Sequence, residues 1–385
     1  MRFFYTILLF LLSNIFYCQD STYARLVIKK LCSKELLGRG YVNNGVNKAA
    51  SFISKELKSI GVCKFGKSYA QNYEFSVNTF PTNMSVLIDG KTLVAGKHYL
   101  IEPNAKSVKM KLQLIKTDSI TYQAKDGEML FPLIVKLKKK LTYSVATALS
   151  DNTIIELLKD SFPNDLNTID VNFENKFIQH FKNQNLIGYI KGSHYPDSFI
   201  VYTAHYDHLG AMGKDTYFPG ANDNASGVSV LLNLARYYKD NPLKYSVVFI
   251  FFSGEEAGLL GSKYYSENPI FPLSKIKFLT NLDLLGTGDD GIMTVNATVF
   301  KEQFQKLNQI NLEKNYVKQI KQRSKAANSD HYWFTEKGVP SFFIYTMGGI
   351  QAYHDIYDIE QTLPLTKYLE VCKLLIEFNN EMEFH

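Results

Sequence analysis

The 385-residue sequence predicts an α/β protein whose central sheet is covered by helices on both faces and interrupted by an inserted β-rich module. Three observations carry this expectation. From about residue 179, near-continuous apolar strands such as "SFIVYTAH" and "YSVVFIFFS" alternate with helical stretches, the pattern of a sheet buried on both sides. Between about residues 84 and 178 the texture changes to alternating strands such as "SVKMKLQLI" and "LFPLIVKL", with turns at "IDGKT", "AKDGE" and "FPNDL". Upstream, "NKAASFISKELKSIGV" spaces its apolar residues as a helix does.

Taken in order, residues 1–19 read as a signal peptide, because Arg2 precedes an apolar run from Phe3 to Leu12 that is too short to span a bilayer. The protein is therefore expected to be exported (periplasmic, secreted or surface-associated), with no transmembrane segment after processing. Phe16 and Tyr17 are bulky for a cleavage site, and Tyr17 before Cys18 departs from a lipobox. Cleavage near Cys18 or Gln19 without lipid anchoring is expected. Residues 20–83 form the N-terminal part of the main domain and read as helical from residue 21 to about 80. Cys32 and Cys63 flank this helical region, and either pair as a disulfide or remain, with Cys372, free thiols. Residues 84–178 form the module. Residues 179–385 form the main part of the domain, with strands at "LIGYI", "SFIVYTAH", "YSVVFIFFS", "IKFLTNLDLLG" and "VPSFFIYT". Helices fall near "ASGVSVLLNLARYYKD", after "EEAGLLGSKYYSEN", near "VFKEQFQKLNQINLEK" and from about Leu365 to Asn379.

With 45% hydrophobic and 21% charged residues, the composition excludes extensive disorder. The formal charge of +6 is scattered apart from Lys136, Lys138, Lys139 and Lys140 in "VKLKKKLTY". That run reads as a solvated strand or loop, and with no RNA or DNA motif beside it nucleic-acid binding is not expected.

Ligand-type side chains gather where the strands end. His205 and Asp207 follow "FIVYT", Asp223 opens the next helix, Glu255 and Glu256 follow "VVFIFFSG", Asp283 ends "KFLTNL", and His354 follows "FFIYTMGGIQAY". Taken singly, each has a structural explanation: Asp223 as a helix cap, the glutamates beside a helix dipole, His354 as a loop residue. Five strand-end clusters together are harder to explain that way, because ligands of open α/β sheets collect beyond the strand ends. Imidazole and carboxylate suit zinc, and three ligand carboxylates with one hydroxide would balance two divalent ions. No Gly-rich phosphate loop, G-x-S-x-G elbow or H-E-x-x-H helix is present, so nucleotide-binding, serine-hydrolase and single-helix zincin chemistry lack their parts.

"TAHYDHLG", "GANDNASGVSVLLNLAR", "FFSGEEAGLLGSKYY", "NLDLLG", "SDHYWFTEKGVP" and "YHDIYD" together resemble the co-catalytic zinc aminopeptidase family, which also includes glutamate carboxypeptidases and, as divergent members, glutaminyl cyclases. The resemblance spans about Asn185 to Asp358, with a weaker echo from "LLGRGYVNNGVNKAASFI" to "YAQNYEF", and leaves the module uncovered. It implies a zinc exopeptidase fold with a mixed central sheet and two zinc ions per chain. By resemblance, His205 and Asp283 hold one zinc, Glu256 and His354 the other, and Asp223 bridges both. Glu255 is then the general base, and Tyr353 stabilises the oxyanion. Asp207 accepts the proton of the other His205 nitrogen, and Asp330 supports the ligands from behind. His208 and His331 read as structural. "YHDIYD" departs from relatives that carry Thr-Pro after the histidine, which puts the local loop shape in question.

The implied activity is hydrolysis of peptide or protein substrates, foremost release of N-terminal residues. Carboxypeptidase or dipeptidase hydrolysis and glutaminyl cyclisation are alternatives on the same fold, and a non-catalytic binding module is a third. The module at 84–178 is expected to shape access to the site.

Overall fold

The computed structural model describes residues 21–382, so the expected leader at residues 1–19, Cys18 included, lies outside the described residues. Strand β1 (Ala70–Thr79) leads out of the central sheet into the module. The module's strands are β2 (Ser85–Ile88), β3 (Lys91–Thr92), β4 (Tyr99–Ile101), β5 (Val108–Lys116), β6 (Thr121–Asp126), β7 (Met129–Lys138), β8 (Thr153–Leu158) and β9 (Thr168–Phe173). Strand β10 (Lys176–Ile190) returns to the centre, followed by β11 (Tyr195–His205), a small hairpin of β12 (Ala211–Met212) and β13 (Thr216–Tyr217), and β14 (Tyr245–Phe252). The remaining strands are β15 (Ile276–Leu282), β16 (Gly291–Val295), β17 (Ile320–Gln322) and β18 (Ser341–Met347).

The central sheet is mixed, in the order β1-β10-β14-β11-β15-β18-β16-β17. Its middle four strands, β14, β11, β15 and β18, run parallel, so their C-terminal ends open on one edge. Alternation along these strands feeds two apolar layers. Ile200, Tyr202, Ala204, Val247, Phe249 and Phe251 pack with α1 (Ser21–Leu31), α2 (Gly45–Ile60), α3 (Gly227–Asp240), α5 (Lys301–Lys314) and α7 (Tyr368–Glu381). Val201, Val248, Ile250 and Phe252 face the other way, onto Tyr265 of α4 (Leu260–Glu267) and Phe334 of α6 (His331–Glu336). Helix α2 shows why the sequence folds this way: Val46, Ala49, Ala50, Ile53 and Leu57 form one buried stripe, and Gly61 ends the helix at φ 84°.

Two expectations for the N-terminal region change. Ala70–Thr79, expected to be helical, is a strand paired with β10 from Ala70↔Leu186 to Thr79↔Lys176. Tyr73, Phe75 and Val77 alternate with polar residues along it, a strand pattern that the helical reading passed over and that the long-range pairing with β10 realises. Cys32, Cys63 and Cys372 are free thiols, so the structure follows the unpaired alternative.

The module fills the turn of the β1–β10 hairpin with a second sheet of order β3-β2-β9-β5-β6-β7-β8-β4. Its apolar core is completed from outside. Leu209, Met212 and Phe218, from the stretch linking β11 to α3, are buried in the same cluster as Tyr99, Leu133, Ile155 and Tyr143. The module therefore rests directly on the polar loop singled out in the sequence. No helix among the described residues is long and apolar enough to cross a membrane.

Candidate metal centre

All five residues expected to bind metal converge beyond the C-terminal ends of the four parallel strands. His205 is the last residue of β11 and Asp283 follows β15, while Glu256 and His354 stand on the loops after β14 and β18. His205 Nε2 lies 3.3 Å from Asp223 Oδ1 and 3.3 Å from Asp283 Oδ2. His354 Nε2 lies 3.1 Å from Asp223 Oδ2 and 3.3 Å from Glu256 Oε2. Asp223 thus turns one oxygen to each imidazole.

The backbone at Asp223 is tightly held. Expected to open a helix, Asp223 instead sits in the turn Ala221–Ser226, at φ −106° and ψ 97°, with α3 starting at Gly227. The Asp223–Asn224 peptide is cis. Arg39, completely buried, donates to the carbonyls of Tyr206 (2.9 Å), Leu31 (3.1 Å), Pro219 (2.6 Å), Gly220 (2.8 Å) and Asp223 (3.1 Å). The carboxylate of Asp358 accepts the N–H groups of Asn222 (2.8 Å) and Asp223 (3.0 Å). Gly220, at φ 60°, must lack a side chain, since a Cβ there would stand 2.2 Å from the Asp223 carbonyl and 2.4 Å from the His208 ring.

Asp207 does its work through different atoms from those expected. The group facing His205 Nδ1 at 3.1 Å is the main-chain carbonyl of Asp207, and the carboxylate stands farther off at 3.8 Å. That carboxylate accepts the Tyr41 hydroxyl at 2.6 Å and the N–H groups of Glu255 and Glu256, both at 3.3 Å. It therefore aims the glutamate pair. His208, read from the sequence as structural, is completely buried against a candidate ligand: its Nδ1 and Glu256 Oε1 share a hydrogen bond of 2.7 Å. Asp330 is buried, with Ser262 beside its carboxylate. The contact behind the ligands comes from its neighbour Ser329, which donates to Asp283 Oδ2 at 3.3 Å. His331 is a buried ring against Phe343, and burial pulls its pKa down to about 4, as in a neutral core imidazole.

Burial and mutual charge set the ionisation. Burial raises Glu255 well above the usual carboxylate range, and Glu256, Asp330 and Asp283 add to the rise. Burial, then Asp223, pushes Glu256 up to about 8. Burial works against the charged form of His354, yet Glu256 and Asp223 outweigh it and hold the ring at about 9. Burial disfavours the Asp223 carboxylate too, but His205 and His354 hold its pKa well below normal.

The residues open on a cavity of about 410 Å³, also lined by Leu284, Arg323, Phe343, Tyr345 and Tyr353. Tyr353 is 45% exposed and stacks on His354 with ring centres 4.0 Å apart. A larger cavity of about 720 Å³, lined by Tyr195, Lys244 and Tyr245, opens near the start of β11 and β14, away from this cluster. Arg39, Asp358, Tyr41, His208 and Ser329 were missed as supports. All five lie within the motifs that carry the family resemblance, Arg39 and Tyr41 in the weaker "LLGRGYVNNGVNKAASFI" stretch, but a motif does not show which backbone or side-chain atom each would hold.

The donor set fits divalent metal. Donors about 2.0–2.2 Å from one tetrahedral ion lie about 3.3–3.6 Å apart. The nitrogen–oxygen separations of 3.1–3.3 Å are close to that spacing. Asp283 Oδ1 is buried with no hydrogen-bond donor, as an oxygen facing a cation would be. His205, Asp223 and Asp283 each offer a donor within 4.8 Å of the others, as do His208, Asp223 and Glu256.

The sequence pattern of peptidase family M28 matches residues 185–378. Aminopeptidase YwaD of Bacillus subtilis is 44% identical over 109 residues, which are 27% of this chain and 22% of that protein. The chain spans only about a quarter of the length of the first curated relatives it matches. The solved structure of a peptidase M28 precursor from Shewanella amazonensis superposes with a TM-score of 0.71 at 15% identity, covering 96% of each chain. Glutaminyl cyclase of Bacteroides thetaiotaomicron superposes with a TM-score of 0.57 at 15% identity, covering 95% of this chain and 99% of that one. At such identities the two structures share the fold.

Proposed function

The chain belongs to peptidase family M28, and on that premise we propose that it is a two-zinc exopeptidase that releases N-terminal residues from peptides and is exported. The observation that carries this reading is Asp223, with one carboxylate oxygen on His205 and the other on His354, the arrangement of a ligand shared by two ions. Relatives whose names include aminopeptidase and zinc metalloprotease support the choice of ion and reaction. The apolar run from Phe3 to Leu12 behind Arg2 supports export.

His205 and Asp283 would hold one ion, Glu256 and His354 the other, and Asp223 both. Bound there, divalent ions supply Lewis acidity toward a carbonyl and toward water. The chain's own groups do the rest. Glu255, aimed through the grip of Asp207 on its N–H, accepts the proton of the attacking water and passes it to the leaving amine. Tyr353, at the mouth beside His354, offers its hydroxyl to the oxyanion. Asp207 keeps Glu255 and its neighbour Glu256 in separate tasks by holding both backbone N–H groups.

The test is a profile of the purified protein on aminoacyl anilides, their N-acetylated forms and peptides with N-terminal glutamine. Release only from free N-termini, abolished by chelator and restored by zinc or cobalt, is expected. Undiminished cleavage in excess chelator would overturn the metal mechanism, and ring closure of glutamine without hydrolysis would assign the cyclase reaction instead.

A further inference from the structure

We propose that the inserted module is a working part of the second metal position: its segment from Lys140 to Tyr143 positions His354. The inference rests on the two-ion reading above and goes beyond it, because it gives the module a task that none of its own side chains could perform as a ligand.

His354 needs outside support. It lies on the loop after β18 with φ 53°, in the left-handed region, and its side chain is 15% exposed, against 1% for His205. Tyr143 of the module holds it twice. The Tyr143 N–H donates to the His354 carbonyl at 2.9 Å, and His354 Nδ1 lies 3.1 Å from the Tyr143 carbonyl. With its Nδ1 proton given to that carbonyl, Nε2 is the nitrogen left to a metal ion, and it faces the space between Asp223 and Glu256. A metal-binding imidazole needs that tautomer and that orientation.

The same segment grips the loop on both sides. Lys140 Nζ donates to the Gln351 carbonyl at 3.1 Å and pairs with Asp355 Oδ2 at 3.2 Å. Asp355 in turn accepts the N–H of Tyr357 at 2.9 Å. The Tyr143 ring lies flat on Phe218, centres 4.6 Å apart and planes 11° apart, and Phe218 belongs to the stretch leading to Asp223. Ile356, two residues past His354, packs on the module's core. The lysine run that composition marks as merely solvated thus ends in a side chain that clasps the His354 loop. Lys140 and Tyr143 are positioning residues, acting on metal only through His354.

The test is a zinc titration of the metal-stripped full-length protein by calorimetry, with mass-spectrometric metal counts. Wild type is expected to bind two ions in two steps. Tyr143→Gly removes the ring stack and loosens the carbonyl that orients His354. It should weaken the second step about 10–100-fold, as the loss of partners behind metal ligands does elsewhere, and leave the first unchanged. Lys140→Ala, at an exposed site that does not threaten folding, should weaken the second step by less, and Lys140→Arg should restore it. Two unchanged steps in Tyr143→Gly and Lys140→Ala would overturn the inference alone, as would equal weakening of both steps. A metal count of one ion per chain in saturated wild type would overturn the two-ion reading and the inference with it.

Discussion

His205 and Asp283 stand at the ends of two adjacent parallel strands, whereas Glu256 and His354 stand on loops that have already left the sheet. The strand-end pair inherits its geometry from the β-ladder and needs little else: a main-chain carbonyl for His205 and the Ser329 hydroxyl for Asp283. The loop pair borrows its geometry. Glu256 relies on Asp207 for its N–H and on His208 for one oxygen, and His354 relies on the module. Apart from the shared Asp223, the sheet can therefore place the ligands of one ion by topology, while those of the second depend on a chain of hydrogen bonds across three segments. The two positions should differ in affinity, with the strand-end ion the tighter.

The variant that should break this asymmetry altogether is Asp223→Ala. It removes the group shared by both halves, so metal analysis should find both ions lost and peptidase activity gone. Retention of one tightly bound ion would show that the halves are independent. Glu255→Gln should leave both halves loaded and act on the chemistry alone, lowering kcat about 10²–10⁴-fold with KM little changed. Loss of a metal from Glu255→Gln, with Glu256→Gln fully loaded and inactive, would exchange their roles.

Asp207→Asn sharpens the comparison. Its carboxylate serves the glutamate pair, while its carbonyl serves His205. The substitution should therefore weaken the loop-held ion about 10–100-fold and spare the strand-end ion. A loss confined to the strand-end ion would mean that the carboxylate orients His205 after all. The smallest effect is expected from Tyr41→Phe, which removes only the hydroxyl that supports Asp207. A net loss of about 1 kcal/mol, or roughly fivefold, in the affinity of the loop-held ion is the expected result, read in the same titration.

Much of this arrangement was legible in the residues. Strands buried on both faces announce themselves as apolar runs, and the polar residues that follow them must lie at the sheet edge. His205, Asp223, Glu256, Asp283 and His354 are brought together there. What was hidden depends on main-chain atoms and distant pairing. The sequence names Asp207 but cannot say that its carbonyl rather than its carboxylate faces His205. Arg39 donates to five backbone carbonyls, and backbone acceptors leave no mark in a sequence. Strand β1 did carry a signal, the alternation of Tyr73, Phe75 and Val77, but it is only three positions long and follows a helical stretch, whereas β16 and β17, at five and three residues, are too short to carry a pattern. The Lys136–Lys140 run reads as solvated until the fold shows which loop Lys140 meets.

The most direct test of two unequal halves sharing one carboxylate is a calorimetric zinc titration of stripped wild type beside His354→Ala and Asp283→Ala. Wild type should show two resolved steps, with His354→Ala losing only the weaker one and Asp283→Ala losing the tighter. Two steps of equal affinity in wild type, or loss of the tighter step in His354→Ala, would contradict the assignment of the strand-end half as the stronger.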